Sequence, residues 1–421
     1  MTAAGDTYHL TTLGCPKNDV DSDKLEGTMQ ADGMARVDDV ADADVVVVNP
    51  CAFIEDARAE SIDTILAVAA ERRPGAKLVV TGCMAERHGA ELAAELDEID
   101  HVAPFGVSLA PSSSVSVALG PTRRAPDFDL LNLPRPASPR PWAYVKIAEG
   151  CDRACGFCAI PTFRGPQRSR TIDRIMTEVD QLQAEEIVLV AQDLAAFGRD
   201  QGVGERAIVP LVRRVAERVA RVRLLYLYPS DLNAELIDTI CETGVPYFDL
   251  SLQHVSPPLM RRMRRWGDDE RFLDRIEAIR AREPDAAFRS NFIVGYPGET
   301  EEDQDRLLAF VEAAQLDWCG FFSYSREGGT YAADLDGQVD PGLMGERLAE
   351  LRELQDGITE RKRDELIGRE VEVLVDEPGI GRTHREAPEI DGIVSVPQTL
   401  AVGAFATVTV DAAFGPDLEA S

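Results

Sequence analysis

The sequence predicts an α/β protein in three parts: a small doubly wound α/β domain, a partial (β/α)6 barrel and a small antiparallel β-barrel. Three observations lead to this prediction. The length of 421 residues suits two or three domains. Short apolar runs alternate with amphipathic stretches over most of the chain, a pattern typical of parallel sheets covered by helices. After residue 367 the sequence becomes rich in β-forming residues and turns.

The first domain is assigned to residues 1–106. Its short apolar runs, bounded by Gly, Asn or Pro, predict buried parallel strands at 8–13, 44–49 and 77–81. Amphipathic stretches predict helices at 19–31, 57–70 and 86–96. This alternating order predicts a doubly wound domain. Residues 107–141 then hold seven prolines and little periodicity, which predicts a linker that is stiffened by proline.

The second domain is assigned to residues 142–367, where the alternation resumes on a larger scale. Candidate strands lie at 143–148, 186–192, 223–228, 248–252, 288–294 and 319–324. Candidate helices lie at 174–184, 209–220 and 301–314, and a further helical stretch at 341–367 leads out. Six βα units predict a parallel sheet that curves towards a barrel.

The third domain is assigned to residues 368–421. Its β-rich segments lie at 370–375, 392–396 and 404–410, with turns between them. Short strands separated by turns are typical of a small antiparallel barrel.

The charge balance is strongly acidic, with 44 Lys+Arg against 74 Asp+Glu and a net charge of −30. Such a surface repels phosphate, so direct nucleic-acid binding is disfavoured and a basic partner is favoured. Acidity that serves only solubility is the alternative. No apolar run approaches the roughly 20 residues of a membrane-spanning helix, and the polar start is unlike a signal peptide. We therefore expect a cytoplasmic protein that does not bind membranes.

Three of the eight cysteines form a local group, Cys151-x3-Cys155-x2-Cys158, directly after the first strand of the second domain. Active sites of β/α barrels lie at the carboxyl ends of strands. Three thiolates can hold three irons of a 4Fe–4S cluster, which leaves the fourth iron open to a small molecule. A structural zinc site is one alternative, but it requires four ligands, and Cys83 and His101 are the nearest further candidates. The other alternative is that these three cysteines lie in the core and bind no metal.

A second group is dispersed, because Cys15, Cys51 and Cys83 each follow one of the three N-terminal strands. The carboxyl ends of parallel strands meet at one edge of a sheet, so these thiols are expected to converge. The alternative is three unrelated small residues at turns. We predict a second 4Fe–4S cluster with an open iron here, whereas Cys241 and Cys319 are predicted to be core residues.

The local group, with Phe157 before its third cysteine, resembles the CxxxCxxC signature of radical S-adenosylmethionine (SAM) enzymes. In that family the open iron binds SAM, and one electron from the cluster cleaves SAM to a 5′-deoxyadenosyl radical. Two three-cysteine sites, an N-terminal α/β domain, a radical SAM core and a C-terminal barrel together resemble the methylthiotransferases, whose barrel is a TRAM domain. The resemblance covers nearly the whole chain. It implies two SAM molecules, one as radical source and one as methyl donor to a sulfur at the N-terminal cluster.

Several short strings resemble the RimO branch of this family, which modifies ribosomal protein uS12. They are LGCPKN at 13–18, CAIP at 158–161, FRG at 163–165, YLYP at 226–229, LQH at 252–254 and APEIDG at 387–392. Residues 368–421 hold three basic and ten acidic residues, a balance of −7 that suits a basic ribosomal protein better than RNA.

This resemblance implies methylthiolation of the β-carbon of a uS12 aspartate. The partners it implies are uS12, free or in the small subunit, and an electron donor such as flavodoxin or ferredoxin. One alternative is a MiaB-like enzyme that modifies an adenosine of tRNA. The other is a non-catalytic iron–sulfur protein that carries electrons or senses redox state.

Four further residues are predicted to contact SAM. Gln192 and Asp193 end a barrel strand, and Gly295 and Gly298 lie in a strand-to-helix turn that permits close backbone approach. A plain turn is the alternative for the glycines. No catalytic acid or base is assigned beyond the cluster ligands, because the cofactors supply the chemistry.

Two arginine groups complete the predictions. One group follows the cluster loop and consists of Arg164, Arg168 and Arg170. These arginines are expected to offset the negative charge of the cluster or to hold a carboxylate of SAM. The alternative is that they are surface residues. The other group is predicted to be a solvated helix face: Arg261, Arg262, Arg264 and Arg265.

Overall fold

A five-stranded parallel sheet forms the N-terminal domain of the computed structural model, which describes residues 6–105, 107, 109, 129–202 and 207–421. Its strands are β1 (Thr7–Thr12), β2 (Ala35–Arg36), β3 (Val45–Asn49), β4 (Lys77–Thr81) and β5 (His101–Ala103). They lie in the order β2-β1-β3-β4-β5 and all pair in parallel. The three predicted strands are confirmed, while β2 and β5 are too short to show a pattern in the sequence.

Helices cover both faces of this sheet, as a doubly wound domain requires. They are α1 (Pro16–Ala31), α2 (Glu55–Glu71) and α3 (Gly82–Glu95). Met29 of α1 packs with Val47 on one face, and Ile65 of α2 packs with Val46 on the other. Both faces are therefore buried, which explains why β3 is an almost unbroken run of valine.

The segment that enters the second domain is partly described. Residues 129–141 include a 3-10 turn at Leu130–Asn132, and Lys24 of α1 donates hydrogen bonds of 3.0 Å to the carbonyl oxygens of Leu131 and Leu133. This part of the predicted linker is therefore held against the first domain. Residues 110–128, which contain three of the seven prolines, lie outside the described residues.

The second domain contains six parallel barrel strands and a small antiparallel sheet of two strands, β7 and β8. Its strands are β6 (Trp142–Lys146), β7 (Ala148–Glu149), β8 (Arg168–Ser169), β9 (Glu186–Val190), β10 (Arg221–Leu224), β11 (Tyr247–Gln253), β12 (Ala287–Val294) and β13 (Trp318–Ser323). Its helices are α4 (Ile160–Phe163), α5 (Ile172–Leu182), α6 (Ile208–Ala216), α7 (Ala234–Glu242), α8 (Pro257–Arg262), α9 (Asp269–Arg282), α10 (Glu301–Ala314) and α11 (Pro341–Asp364). No helix in the described ranges is both long enough and apolar enough to cross a membrane.

The barrel strands form two three-stranded sheets, β10-β9-β6 and β11-β12-β13. A single parallel bridge between Leu227 and Leu250 joins them, so the six strands form one curved, open wall, as predicted. The interior of this wall is filled partly from the other domains. Val20 of α1 and Ala387 of the third domain pack there with Tyr144 and Tyr247.

The third domain is a closed five-stranded barrel with the order β14-β15-β16-β18-β17. Its strands are β14 (Glu370–Glu377), β15 (Ile380–Arg382), β16 (Val394–Ser395), β17 (Phe405–Phe414) and β18 (Asp417–Ala420). All neighbouring pairs are antiparallel except β16 and β18. A ring of five strands cannot alternate direction throughout, so one parallel pair is unavoidable.

Candidate functional site

The local cysteine group lies on a loop that is shaped by tight backbone contacts. Gly150 has a positive φ of 78°, and a Cβ at this position would collide with the carbonyl oxygen of Pro166. The amide of Cys151 donates to the carbonyl oxygen of Gly165 at 3.0 Å, and the amide of Gly156 donates to that of Met263 at 2.8 Å. The loop is thereby held at the carboxyl end of β6, where barrel enzymes carry their active sites.

Burial and the neighbouring cysteines affect the thiols of this loop. Burial raises the pKa of the Cys151 thiol to about 12 and that of Cys158 to about 11, and the neighbouring Cys155 adds to both shifts. Arg265 Nη1 lies 3.3 Å from Cys155 Sγ and donates to it. The expectation that Arg265 lies on a solvated helix face is therefore wrong, because the turn after α8 directs its guanidinium to the cluster loop.

The dispersed cysteines converge on one edge of the N-terminal sheet. Cys15, Cys51 and Cys83 follow β1, β3 and β4, which are neighbours in the sheet order. A Cβ at Gly14 would lie 2.9 Å from the Cβ of Cys51, and Cys83 Sγ lies 3.4 Å from Asn18 Oδ1. Burial raises the pKa of the Cys83 thiol to about 11, with Cys15 and Cys51 adding to the shift.

Side-chain amides tie these three strand ends together. Asn18 Nδ2 donates to the carbonyl oxygen of Leu13 at 2.9 Å, and Asn49 Nδ2 donates to the carbonyl oxygen of Asn18 at 2.9 Å. Ser61 of α2 accepts from the amide of Cys51 at 3.1 Å and donates back to its carbonyl oxygen at 2.9 Å. None of these roles was predicted from the sequence, although Asn18 stands within the LGCPKN string.

Arg164 connects the two cysteine groups. Its Nη2 donates to Cys83 Sγ at 2.8 Å, and its Nη1 donates to Glu149 Oε1 at 2.8 Å, two residues before Cys151. Burial would raise the pKa of Glu149, but Arg164 and Lys146 outweigh it and hold the pKa well below its usual range. Arg164 was expected to offset the charge of the local group or to hold a carboxylate of SAM, and the structure places its guanidinium against Cys83 of the dispersed group.

The four predicted SAM contacts lie along the mouth of the barrel. Gln192 Nε2 donates to Glu149 Oε1 at 2.9 Å, and Asp193 accepts from Arg153 Nε at 2.6 Å. Both follow β9, as the local cysteines follow β6. Gly295 and Gly298 have φ values of 81° and 86°. Their missing Cβ positions face Met344 and Arg262, so protein packing alone accounts for glycine here.

The donor chemistry of both groups fits an iron–sulfur cluster. Thiolate is the usual ligand of such clusters. Burial raises the pKa of the Cys51, Cys83, Cys151 and Cys158 thiols, so ligation of these thiols would release their protons. Each group offers three cysteines. Within the described residues, no three His, Cys, Asp or Glu side chains are arranged to hold a single metal ion.

Three protein families match successive parts of the chain. Residues 7–104 match the uncharacterized protein family UPF0004, residues 145–311 match the radical SAM superfamily, and residues 367–421 match the TRAM domain. Among solved structures, the chain is similar to the radical SAM methyltransferase TsrM from Kitasatospora setae, with 14% identity and a TM-score of 0.48 over 76% of this chain and 72% of that one. The six-stranded barrel, the CxxxCxxC loop and the family matches define a radical SAM enzyme.

Curated relatives match over nearly the whole chain. A protein from Cutibacterium acnes is 40% identical and covers 96% of this chain and 95% of its own. One from Moorella thermoacetica is 43% identical with 92% of each chain covered, and one from Thermotoga maritima is 40% identical over 95% and 96%. All three are named ribosomal protein uS12 methylthiotransferase RimO. The chain belongs to this RimO family and is a radical SAM methylthiotransferase.

Proposed function

We propose that this enzyme methylthiolates the β-carbon of an aspartate in ribosomal protein uS12, with two 4Fe–4S clusters and two SAM molecules. The observation that carries the proposal is the identity of about 40% over more than 90% of the chain to proteins named as uS12 methylthiotransferases. The count of two clusters is supported by the two groups of three cysteines. Arg164 hydrogen-bonds both to Cys83 of the dispersed group and to Glu149, which precedes the local group.

The local group would hold the cluster that binds SAM, and the dispersed group would hold the second cluster. When bound, the first cluster supplies the electron that cleaves SAM, and the second handles the sulfur to be transferred. The chain's own residues fix these positions and balance charge. Arg265 and Arg164 place guanidinium groups against Cys155 and Cys83, where they offset the negative charge that three thiolates and a cluster introduce.

The acidic third domain supports a basic protein substrate. Glu370 and Glu372 of β14 and Asp411 of β17 are exposed on the outer face of the barrel, and its formal balance is acidic. Complementary charge speeds association with a basic partner and disfavours phosphate-rich nucleic acid. We propose uS12, free or in the small subunit, as the partner, an electron donor such as flavodoxin or ferredoxin, and a cytoplasmic location.

The test is mass spectrometry of two substrates. A uS12 loop peptide and an anticodon-stem tRNA are each incubated anaerobically with the reconstituted enzyme, SAM, sulfide and a reductant. A mass gain of one methylthio group on the peptide aspartate, with unmodified tRNA, is the expected result. Modification of the tRNA alone would contradict the protein substrate while leaving the radical chemistry intact. Deoxyadenosine without either product would contradict both substrates.

A further inference from the structure

Lys17 reaches from the edge of the N-terminal sheet into the mouth of the barrel. It lies in the first turn of α1, two residues after Cys15. Its ammonium lies over the ring of Tyr226, 3.5 Å from the ring centroid. Tyr226 follows β10 and therefore lies at the carboxyl edge of the barrel strands. The cation thus stands between the dispersed cysteine group and the interior of the barrel.

The backbone of Tyr226 is held in a conformation that is unusual for an aromatic residue. Its φ is +65°, in the left-handed region that bulky side chains rarely occupy. Its amide donates to Asp249 Oδ2 at 2.9 Å, and the next residue, Leu227, forms the bridge that joins the two half-sheets. Strained residues of this kind cluster at functional sites. In this conformation the ring lies beneath the ammonium of Lys17.

No anionic group neutralises Lys17 within the described part of the chain. No carboxylate lies within ion-pair distance of its ammonium, and burial raises the pKa of Tyr226 well above its usual range, so the ring stays neutral. At longer range, the charge of Lys17 acts against the effect of burial on two groups, because it lowers the pKa of the Asp249 carboxyl and of the Cys51 thiol. The carboxylate of Asp249 is engaged by the amide of Tyr226 and faces Arg289 at 4.0 Å. In a chain with 74 acidic residues, this half-buried lysine directly contacts the ring of Tyr226 and forms no ion pair with a carboxylate of the described residues.

We propose that Lys17 binds the side-chain carboxylate of the aspartate that receives the methylthio group. This inference rests on the proposed function, because it names the group of the substrate that the site recognises. The β-carbon of an aspartate is bonded directly to its carboxyl carbon, so an ion pair with Lys17 also positions the reacting carbon. The contact with Tyr226 holds the ammonium in place without cancelling its charge.

The test is a comparison of two enzymes with two peptides. Wild-type enzyme and Lys17→Met, both reconstituted with clusters, are titrated with a uS12 loop peptide that carries either aspartate or asparagine at the acceptor position. Asparagine keeps the shape and removes the charge. Wild-type enzyme should bind the aspartate peptide about tenfold to hundredfold more tightly than the asparagine peptide, and Lys17→Met should bind both alike.

Two further variants control this comparison. Lys17→Arg should keep part of the preference for aspartate, because it keeps the charge. Lys77→Met removes an exposed lysine that pairs with Asp100 on the same domain, and should keep all of the preference. Iron content and absorption spectra of each variant show whether both clusters are bound.

Three outcomes would overturn the role of Lys17. If Lys17→Met weakens the binding of both peptides equally, Lys17 has a structural role. If Lys17→Met weakens the binding of SAM in the absence of peptide, the ammonium contacts the cofactor. A preference for aspartate that survives in Lys17→Met would place recognition elsewhere. These results differ from failure of the proposed function, in which wild-type enzyme neither binds nor modifies the aspartate peptide.

Discussion

The two cysteine groups of this enzyme are built in different ways. The local group occupies eight consecutive residues and is shaped by backbone contacts of one loop, such as the bond between Cys151 and Gly165. The dispersed group is assembled from three strand ends about 30 residues apart, and Asn18 and Asn49 join those ends. A local site needs only its loop to form, whereas a dispersed site needs a complete sheet.

The groups also differ in how they depend on the rest of the molecule. Cys155 receives its guanidinium from Arg265, which lies within the same domain. Cys83 receives its guanidinium from Arg164, which comes from another domain. The N-terminal site is therefore completed only when the two domains pack together. We expect perturbations of domain packing to affect the dispersed group first.

The largest expected effect separates the chemistry of the two groups. Cys151→Ala should abolish both SAM cleavage and methylthio transfer, whereas Cys51→Ala should abolish transfer and still permit SAM cleavage. Liquid chromatography with mass spectrometry measures deoxyadenosine and modified peptide in the same reaction. Cys241→Ala, a half-buried cysteine outside both groups, serves as the control and should retain both. Full transfer by Cys51→Ala would contradict the two-cluster proposal.

The next effect concerns the arginine between the groups. Arg164→Met leaves Glu149 and Asp21 buried without this cation, and should lower the free energy of unfolding by about 3–5 kcal/mol in urea titrations of the cluster-free chain. It should also lower the reduction potential of the N-terminal cluster more than that of the SAM-binding cluster. Arg168→Met, which loses a partly exposed pair with Asp129, should cost about 1 kcal/mol or less. Equal shifts of the two reduction potentials would contradict the inference that Arg164 acts mainly on the dispersed cysteine group.

A third effect tests how the N-terminal domain is attached. Burial would raise the pKa of Glu178, but Arg170, Arg135 and Lys24 outweigh it and lower the pKa to about 2. Because this is below the model-peptide value of 4.5, the stabilisation is present above pH 4.5 and is lost as the pH falls towards 2. Lys24 belongs to α1 and Glu178 to α5, so the pair joins two domains.

Glu178→Gln should therefore lower stability by about 3 kcal/mol near neutral pH and remove this part of the acid dependence. Melting temperatures of wild-type and variant chains, compared at several pH values, measure the difference. The difference in melting temperature between the two chains should shrink as the pH falls from 4.5 to about 2. Glu185→Gln, which alters an exposed carboxylate nearby, should follow the wild-type curve. A constant difference at all pH values would contradict the assigned charge state.

The smallest effect concerns the glycine before Cys83. Gly82 has a φ of 68°, and a Cβ there would collide with the side chain of Asn49. Gly82→Ala should cost about 1–3 kcal/mol and lower iron incorporation at the dispersed group only. Gly75→Ala has a similar φ of 90° but open space around it, so it should cost about 1 kcal/mol and leave iron content unchanged. Equal iron loss in both would point to backbone strain alone.

Much of the fold could be predicted because many of its strands have a buried, apolar centre. β3 is apolar up to its final Asn49, and β4 is apolar between Lys77 and Thr81, so the positions of both strands and the location of Cys51 and Cys83 after them can be predicted directly. β2 and β15, which have two and three residues, could not be predicted. Their pairing is decided by neighbouring strands and not by their own pattern.

The sequence by itself determined the local cysteine spacing, the alternation of strands and helices, and the acidic balance, because each depends on residues close together or on composition. Only the tertiary structure decided which charged residues contact each cysteine group. The helix α1 illustrates the reason. It buries polar residues such as Asp21 and Lys24, which the sequence pattern alone would place in contact with solvent. Their partners, Lys146 and Glu178, lie more than 100 residues away. Contacts over such separations are specified by packing of whole domains, which local sequence patterns do not encode.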